Sequence, residues 1–327
     1  MRVVFFGTAS FACPALRALA RHEAFQVVGA VTQPDRPRGR QQKLAPSPVK
    51  ETAIAIHTKV FQPEKLRTPA FISQMKFLKP DFIVVAAYGK ILGPELLEMP
   101  KHGCFNIHAS LLPKYRGAAP IHRAIMDGER ETGVTIMKMD AALDTGDIVL
   151  QESTHIRPTD NIETLHDRLA QLGAQLLPVA LIQVRQNKAG FIAQDNSKAT
   201  YAEKVTRDDE RIIWDTSKRH IWNQIRALYP GSGAYTYVRV KDQDKVLKVL
   251  SADFERFVSD QPGRIVKIDS EGIHVAAKTG AVVLQQIQLE GKKRMPASEF
   301  LKGVPLKKGD FLYTYSASES GPGARDS

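Results

Sequence analysis

Asn106 and His108 stand two residues apart at the end of an apolar run, and a loop carrying Pro113, Gly117 and Pro120 follows them. In an extended strand alternate side chains share a face, so these two point the same way. Polar groups at the carboxyl end of an apolar strand mark the mouth of a site in an open α/β sheet. Taken alone, the pair reads more simply as two hydrogen-bonded side chains closing a strand. A second polar group changes the balance: Asp140, Asp144 and Asp147 crowd the loop after the apolar run at 134–139. If both runs are strands of one parallel sheet, their carboxyl ends share an edge and Asp144 can meet His108.

An amide, an imidazole and a carboxylate together suit transfer of an acyl-like group to an amine. Attack on a carbonyl builds an oxyanion that the Asn106 N–H and a protonated His108 can stabilise. Asp144 would orient the imidazolium, and the same His with an ordered water would move the protons. A serine nucleophile fits poorly, because Ser110 lacks the glycine pattern of a nucleophile elbow. Loop acids are commoner as turn formers than as ligands, so no metal is expected. A dinucleotide fingerprint is also missing: Gly7-Thr-Ala-Ser-Phe-Ala follows the first apolar run without a second glycine.

The elements that must position these groups can be read from periodicity. Strands are expected at 3–6, 26–31, 60–61, 81–87, 103–108 and 133–139, with helices at 12–20, 48–56, 69–78, 118–126 and 164–187. The near-continuous run 81–87 is that of a strand buried on both faces. This alternation predicts an α/β fold with a doubly wound, Rossmann-like and mostly parallel sheet over residues 1–188. Residues 189–208 are polar and read as a linker. After a helix at 216–228 come short strand candidates at 234–240, 245–251, 263–268, 272–277, 281–289 and 310–315. They predict a smaller antiparallel β-barrel of OB-fold type over 209–315, with a frayed tail at 316–327. Trp214 and Trp222 are expected in the core, the latter beside Ile221, Ile225 and Leu228 on one helical face.

The 327-residue chain has a net charge of +11, which admits a polyanionic partner. Its basic residues cluster: Arg36, Arg38, Arg40 and Lys43 in one loop, Lys292, Lys293 and Arg294 in another. Two distant cysteines, Cys13 and Cys104, provide no disulfide framework, and no run is long enough to span a membrane. A cytoplasmic protein is expected.

The run from Phe105 to Pro120, together with Leu143-Asp-Thr-Gly-Asp147, resembles the 10-formyltetrahydrofolate-dependent formyltransferases. The likeness covers nearly the whole chain and is closest to the branch that acts on initiator methionyl-tRNA. It implies that Asn106, His108 and Asp144 are the catalytic set. It also implies that Ser110, Leu111, Leu112 and Pro113 contact the folate. Tyr88, Gly89, Lys90, Ile91 and Leu92 would wall the folate pocket. The implied co-substrate is 10-formyltetrahydrofolate, the implied partner is initiator methionyl-tRNA, and a monomer is expected. The basic loop 32–48 resembles the insertion of the tRNA-directed branch, with Arg and Lys suited to phosphates and guanine edges. Lys114 and Tyr115 stand where some members have Arg-Trp. A sugar-nucleotide formyltransferase or a formyltetrahydrofolate hydrolase would share the triad without needing that loop. A non-catalytic RNA-binding protein would need the loop without the triad.

Overall fold

The computed structural model describes residues 1–38, 43–255 and 260–315, without the side chains of residues 38 and 43. Arg40 and the tail 316–327 lie outside the described residues. Within them the chain forms two compact units. One comprises 1–120, 131–155 and 165–203; the other comprises 121–130, 156–164 and the chain from 204 onward.

The first unit begins with β1 (Arg2–Gly7), α1 (Cys13–Arg21) and β2 (Gln26–Val31). A two-stranded ribbon follows, β3 (Arg36–Arg38) against β4 (Lys43–Ala45), then α2 (Pro48–Ala55), β5 (Val60–Phe61) and α3 (Pro69–Phe77). Next come β6 (Phe82–Ala86), α4 (Pro94–Leu97), β7 (Cys104–His108) and β8 (Arg116–Gly117). After α5 (Pro120–Met126), which belongs to the second unit from residue 121, come β9 (Glu131–Lys138), β10 (Ile148–His155), α6 (Ile162–Arg185) and β11 (Tyr201–Ala202). The central sheet has the order β10-β9-β7-β6-β1-β2-β5. β1, β2, β5, β6 and β7 run parallel, and β1 and β6 are buried along nearly their whole length because helices cover both faces.

β9 and β10 depart from the expected pattern. β9 runs antiparallel to β7, pairing Phe105 with Lys138 and His108 with Thr135, and β10 runs antiparallel to β9. The loop carrying Asp144 therefore leaves β9 at the level where β7 begins, not at a shared carboxyl edge. β10 was not anticipated, because its second half is a polar, exposed edge with little apolar signal. Residues 189–203, read from composition as linker, pack into the first unit: Ile192 bridges to Ile148, and β11 pairs in parallel with β8.

α6 determines which face of β7 is free. A Cβ added at Gly173 would sit 2.7 Å from Ile107 Cγ2, so this glycine lets the helix lie against β7. Ile107 points at the helix; by alternation Asn106 and His108 point away from it.

The second unit holds α7 (Arg207–Glu210), α8 (Lys218–Leu228), β12 (Ala234–Val240), β13 (Gln243–Glu255), β14 (Ile265–Ile268) and β15 (Ile273–Ala277). It continues through β16 (Gly280–Leu289), β17 (Met295–Pro296), α9 (Ala297–Gly303) and β18 (Leu312–Tyr313). Its antiparallel sheet runs β14-β15-β16-β13-β12-β18. The two ends meet through an Arg264–Phe311 bridge, with Ile265 N donating to Asp310 O and Leu312 N to Gly263 O. The sheet thus curls until its two ends touch, which partly covers its edges. Trp214 is buried, its Nε1 donating to Thr236 Oγ1 at 2.9 Å. Trp222 is half-buried, edge-on to the Phe254 ring, with the Arg226 guanidinium over its face.

Asp209 ties α7 to α5 within this unit. Arg123 reaches it in bidentate fashion at 2.6 and 2.9 Å, and Thr206 donates through both its backbone N–H and its hydroxyl. The Arg123 hydrogen bonds, helped by Thr206, lower the Asp209 pKa to about 2. A carboxyl depressed in the folded state contributes stability above its ordinary pKa of 3.8, and that contribution fades as pH falls toward 2. Asp209→Asn is therefore expected to lose about 1–2 kcal/mol at neutral pH, a difference that shrinks as pH falls toward and through 2. Urea unfolding across pH 2–7 measures this.

Candidate active site

Asn106, His108 and Asp144 converge. Asn106 Nδ2 donates to Asp144 Oδ1 at 3.4 Å, and His108 Nδ1 lies 3.6 Å from Asp144 Oδ2. Because β9 is antiparallel, the 139–147 loop reaches the pair by folding back over the face of β7 that carries them. Three features hold that fold. Asp144 sits at φ 54°, in the left-handed region that an aspartate tolerates better than most residues. Gly146 leaves no room for a side chain, since a Cβ there would collide with the Lys138 carbonyl. Asp140 turns its carboxylate onto its own loop, accepting from Thr145 Oγ1 at 2.8 and 2.9 Å and from Ala142 N at 3.0 Å.

The Gly117 backbone N–H donates to Asp144 Oδ2 at 2.9 Å, so each carboxylate oxygen has a donor. Gly117 has φ 117°, and a Cβ there would meet the Ala202 carbonyl oxygen at 2.9 Å. His108 is 5% exposed, and its Nε2 donates to the Tyr115 carbonyl at 2.8 Å. Both ring nitrogens face acceptors, a pair that a doubly protonated ring can serve at once. Asn106 is only half-buried and keeps a second amide hydrogen.

Residues that sequence reasoning did not single out brace this group and the Ser110–Leu112 backbone beside it. Gln194 Nε2 donates to the carbonyls of Asp144 (2.9 Å) and Gly146 (2.8 Å). Its Oε1 accepts from Arg116 Nε and Nη2 at 3.1 and 2.8 Å, and Arg116, 2% exposed, also donates to Asn196 Oδ1. Thr135 Oγ1 donates to Ser110 O at 2.6 Å and accepts from Leu112 N and Gln151 Nε2. Gln151 also donates to Leu112 O at 2.8 Å. The one signal available was alternation: Thr135 is a hydroxyl in the middle of an apolar run.

The expected folate segment is thereby pinned. Ser110 is fully buried with its hydroxyl donating to Lys114 O, Leu112 packs with Met137 and Ile148, and the Leu112–Pro113 peptide is cis. Leu111 and Pro113 are half-buried. In the 88–92 segment, Tyr88 is a core residue. Its ring meets Phe6 edge-on at 5.3 Å, and burial pushes its hydroxyl up to about 12. The Tyr88 carbonyl accepts from Thr8 Oγ1 and Gln33 Nε2. Gly89 has φ 80°, Lys90 Nζ donates to the Pro63 and Glu64 carbonyls, Leu92 is buried, and Ile91 is 76% exposed. Only Gly89 and Ile91 of that segment present a free surface.

The basic ribbon β3–β4 has a fixed root. Thr32 Oγ1 and Ser47 Oγ lie 2.6 Å apart, and Asp35 accepts from Lys50 at 2.6 Å and Gln62 at 2.7 Å. Arg36 is exposed; the side chains of Arg38 and Lys43, and all of Arg40, lie outside the described residues. In the second unit Lys292, Lys293 and Arg294 are exposed on the turn between β16 and β17. Among the described residues no helix is long and apolar enough to cross a membrane.

Cys104, at the start of β7, is buried and donates to Leu96 O, and burial raises its pKa to about 12. The thiol is expected to resist iodoacetamide in native protein and to react at once in denatured protein, as peptide mass mapping will show. Gln194→Leu is expected to lose about 2–4 kcal/mol in urea unfolding, because a buried guanidinium and two carbonyls lose their partners.

Residues 1–181 match the family described as Formyl transferase, and residues 204–305 match Formyl transferase, C-terminal domain. The methionyl-tRNA formyltransferase of Methylacidiphilum infernorum is 45% identical over 313 residues, covering 95% of this chain and 98% of the relative. That of Citrifermentans bemidjiense is 46% identical over 318 residues, covering 97% and 98%. Among solved structures, the sugar 3N-formyl transferase WlaRD, crystallised with dTDP and 5-N-formyl-THF, shares the fold. Its TM-score is 0.61 at 19% identity, covering 90% of this chain and 99% of that one. With two matched domains and near-full-length identity to curated relatives, this chain belongs to the formyl transferase family.

Proposed function

We propose that this enzyme transfers the formyl group of 10-formyltetrahydrofolate to the free amino group of initiator methionyl-tRNA. The observation that carries the reading is the convergence of Asn106, His108 and Asp144, in a chain about 45% identical to methionyl-tRNA formyltransferases from end to end. In this reading the amine nitrogen attacks the formyl carbon. The second Asn106 N–H and a proton on His108 Nδ1 stabilise the developing oxyanion. Asp144 keeps the imidazolium oriented and, directly or through water, takes the proton that the attacking amine must lose. The bond from the formyl carbon to the folate nitrogen then breaks, and that nitrogen takes the proton that Asp144 received, carried to it by water. The Ser110–Pro113 backbone and the Gly89–Ile91 surface would hold the folate.

Arg36, Arg38, Arg40 and Lys43 on the first unit, with Lys292, Lys293 and Arg294 on the barrel, are assigned to tRNA phosphates and base edges. The barrel, an OB-type domain over 209–315 in this reading, is the RNA platform. The enzyme acts in the cytoplasm as a monomer.

Formyl transfer to methionyl initiator tRNA, run beside methionyl elongator tRNA, free methionine and a sugar-nucleotide amine, tests the reading. Initiator tRNA should be preferred; preference for the sugar-nucleotide amine would overturn it. Asn106→Ala, His108→Ala and Asp144→Ala should each lower kcat about a hundredfold or more, with KM little changed. Lys292→Glu with Lys293→Glu should raise KM for tRNA and make its dependence on salt shallower, leaving folate affinity alone.

A further inference from the structure

His274 lies on β15 with its side chain wholly buried, and its two ring nitrogens have different surroundings. Nε2 is 2.9 Å from Asp269 Oδ1, a carboxylate that also pairs through Oδ2 with Lys267. The hydrogen bond requires the proton on Nε2. Nδ1 is buried with no hydrogen-bond partner among the described residues, and it faces Glu255 Oε1 at 3.3 Å. Glu271, in the turn between β14 and β15, completes the group. One ligand atom each from Glu255, Glu271 and His274 lies within 4.8 Å of the other two.

A histidine that ligates a metal through one nitrogen ordinarily gives its other N–H to a carboxylate, as His274 gives Nε2–H to Asp269. Among the described residues the carboxylates of Glu255, Asp269 and Glu271 outnumber the Lys267 ammonium, a surplus of negative charge that an incoming cation would balance. Glu255 is 38% exposed and Glu271 is exposed, so both carboxylates are open to solvent beside the buried nitrogen. The turn is preset: Asp269 Oδ1 also accepts from Glu271 N at 2.9 Å, and Gly272, at φ 149°, admits no side chain against Leu284 O.

We propose that Glu255, Glu271 and His274 Nδ1 form a site for a divalent cation of borderline softness such as Zn²⁺, with Asp269 orienting the imidazole. One nitrogen and two carboxylate oxygens leave a fourth tetrahedral position for water. The ion would tie the end of β13 to the β14–β15 hairpin, a role independent of formyl transfer.

Chelator-stripped full-length protein titrated with Zn²⁺ by calorimetry tests this. One ion per chain should bind, raise Tm, and slow amide exchange in β14 and β15. Co²⁺ substituted for it should show the visible absorption of a low-symmetry nitrogen–oxygen site. Glu255→Gln with Glu271→Gln, both away from the core, should weaken binding at least tenfold. Asp269→Asn should weaken it about ten- to a hundredfold. His274→Gln should abolish the site if it folds; the surface double variant decides the matter if it does not. Equal stoichiometry and affinity in wild type and the double variant would overturn the proposal. So would an imidazole that carries protons on both nitrogens at neutral pH and is unaffected by Zn²⁺.

Discussion

The Asp144 carboxylate is the point on which the first unit turns. It is only 11% exposed, so its oxygens have to be met by donors from the protein rather than by solvent. Gly117 N and the Asn106 amide serve its oxygens, while Gln194 holds its carbonyl and that of Gly146. Each of those donors depends on something further. Gly117 is placed by the β8–β11 pairing, Asn106 by β7 backed against α6, and Gln194 by a buried Arg116. Removing any one of them leaves a buried polar group unmatched, a condition that costs more than the hydrogen bond itself.

The same economy appears around Ser110 to Pro113. Thr135 serves one carbonyl, one amide hydrogen and one side-chain amide through a single hydroxyl. A hydroxyl is the one small group that both donates and accepts there, which is why an otherwise apolar strand tolerates it. Elsewhere in this unit Asp35 and Ser47 hold the root of the basic ribbon, so Arg36 follows a fixed base.

Much of this was legible in the sequence, and particular residues show where legibility stopped. Strand alternation placed Asn106 and His108 on one face, and apolar runs located β1, β6 and β7. Asp144 was found for a partly mistaken reason. The direction of β9 relative to β7 is set by long-range pairing, which leaves no mark on local composition. Gln194 and Arg116 were missed because a polar stretch looks the same whether its amides face water or a buried guanidinium. The barrel strands were legible from their spacing, but the Arg264–Phe311 closure rests on isolated contacts with no periodicity to betray them. His274 had no spacing to mark it, since its partners come from another strand and a turn.

The packing of residues 189–203 has a consequence for anyone dividing this protein. A cut after α6, where the amphipathic pattern ends, would discard Gln194, Asn196 and β11 together. The remaining piece would keep every group named in the chemistry and yet leave Arg116 entombed without acceptors and the Asp144 loop unlatched. The natural excision point is therefore beyond Ala202. Recombination between relatives should exchange sequence there, and a permuted chain with new ends between α6 and β11 should keep Asn106, His108 and Asp144 but lose their alignment.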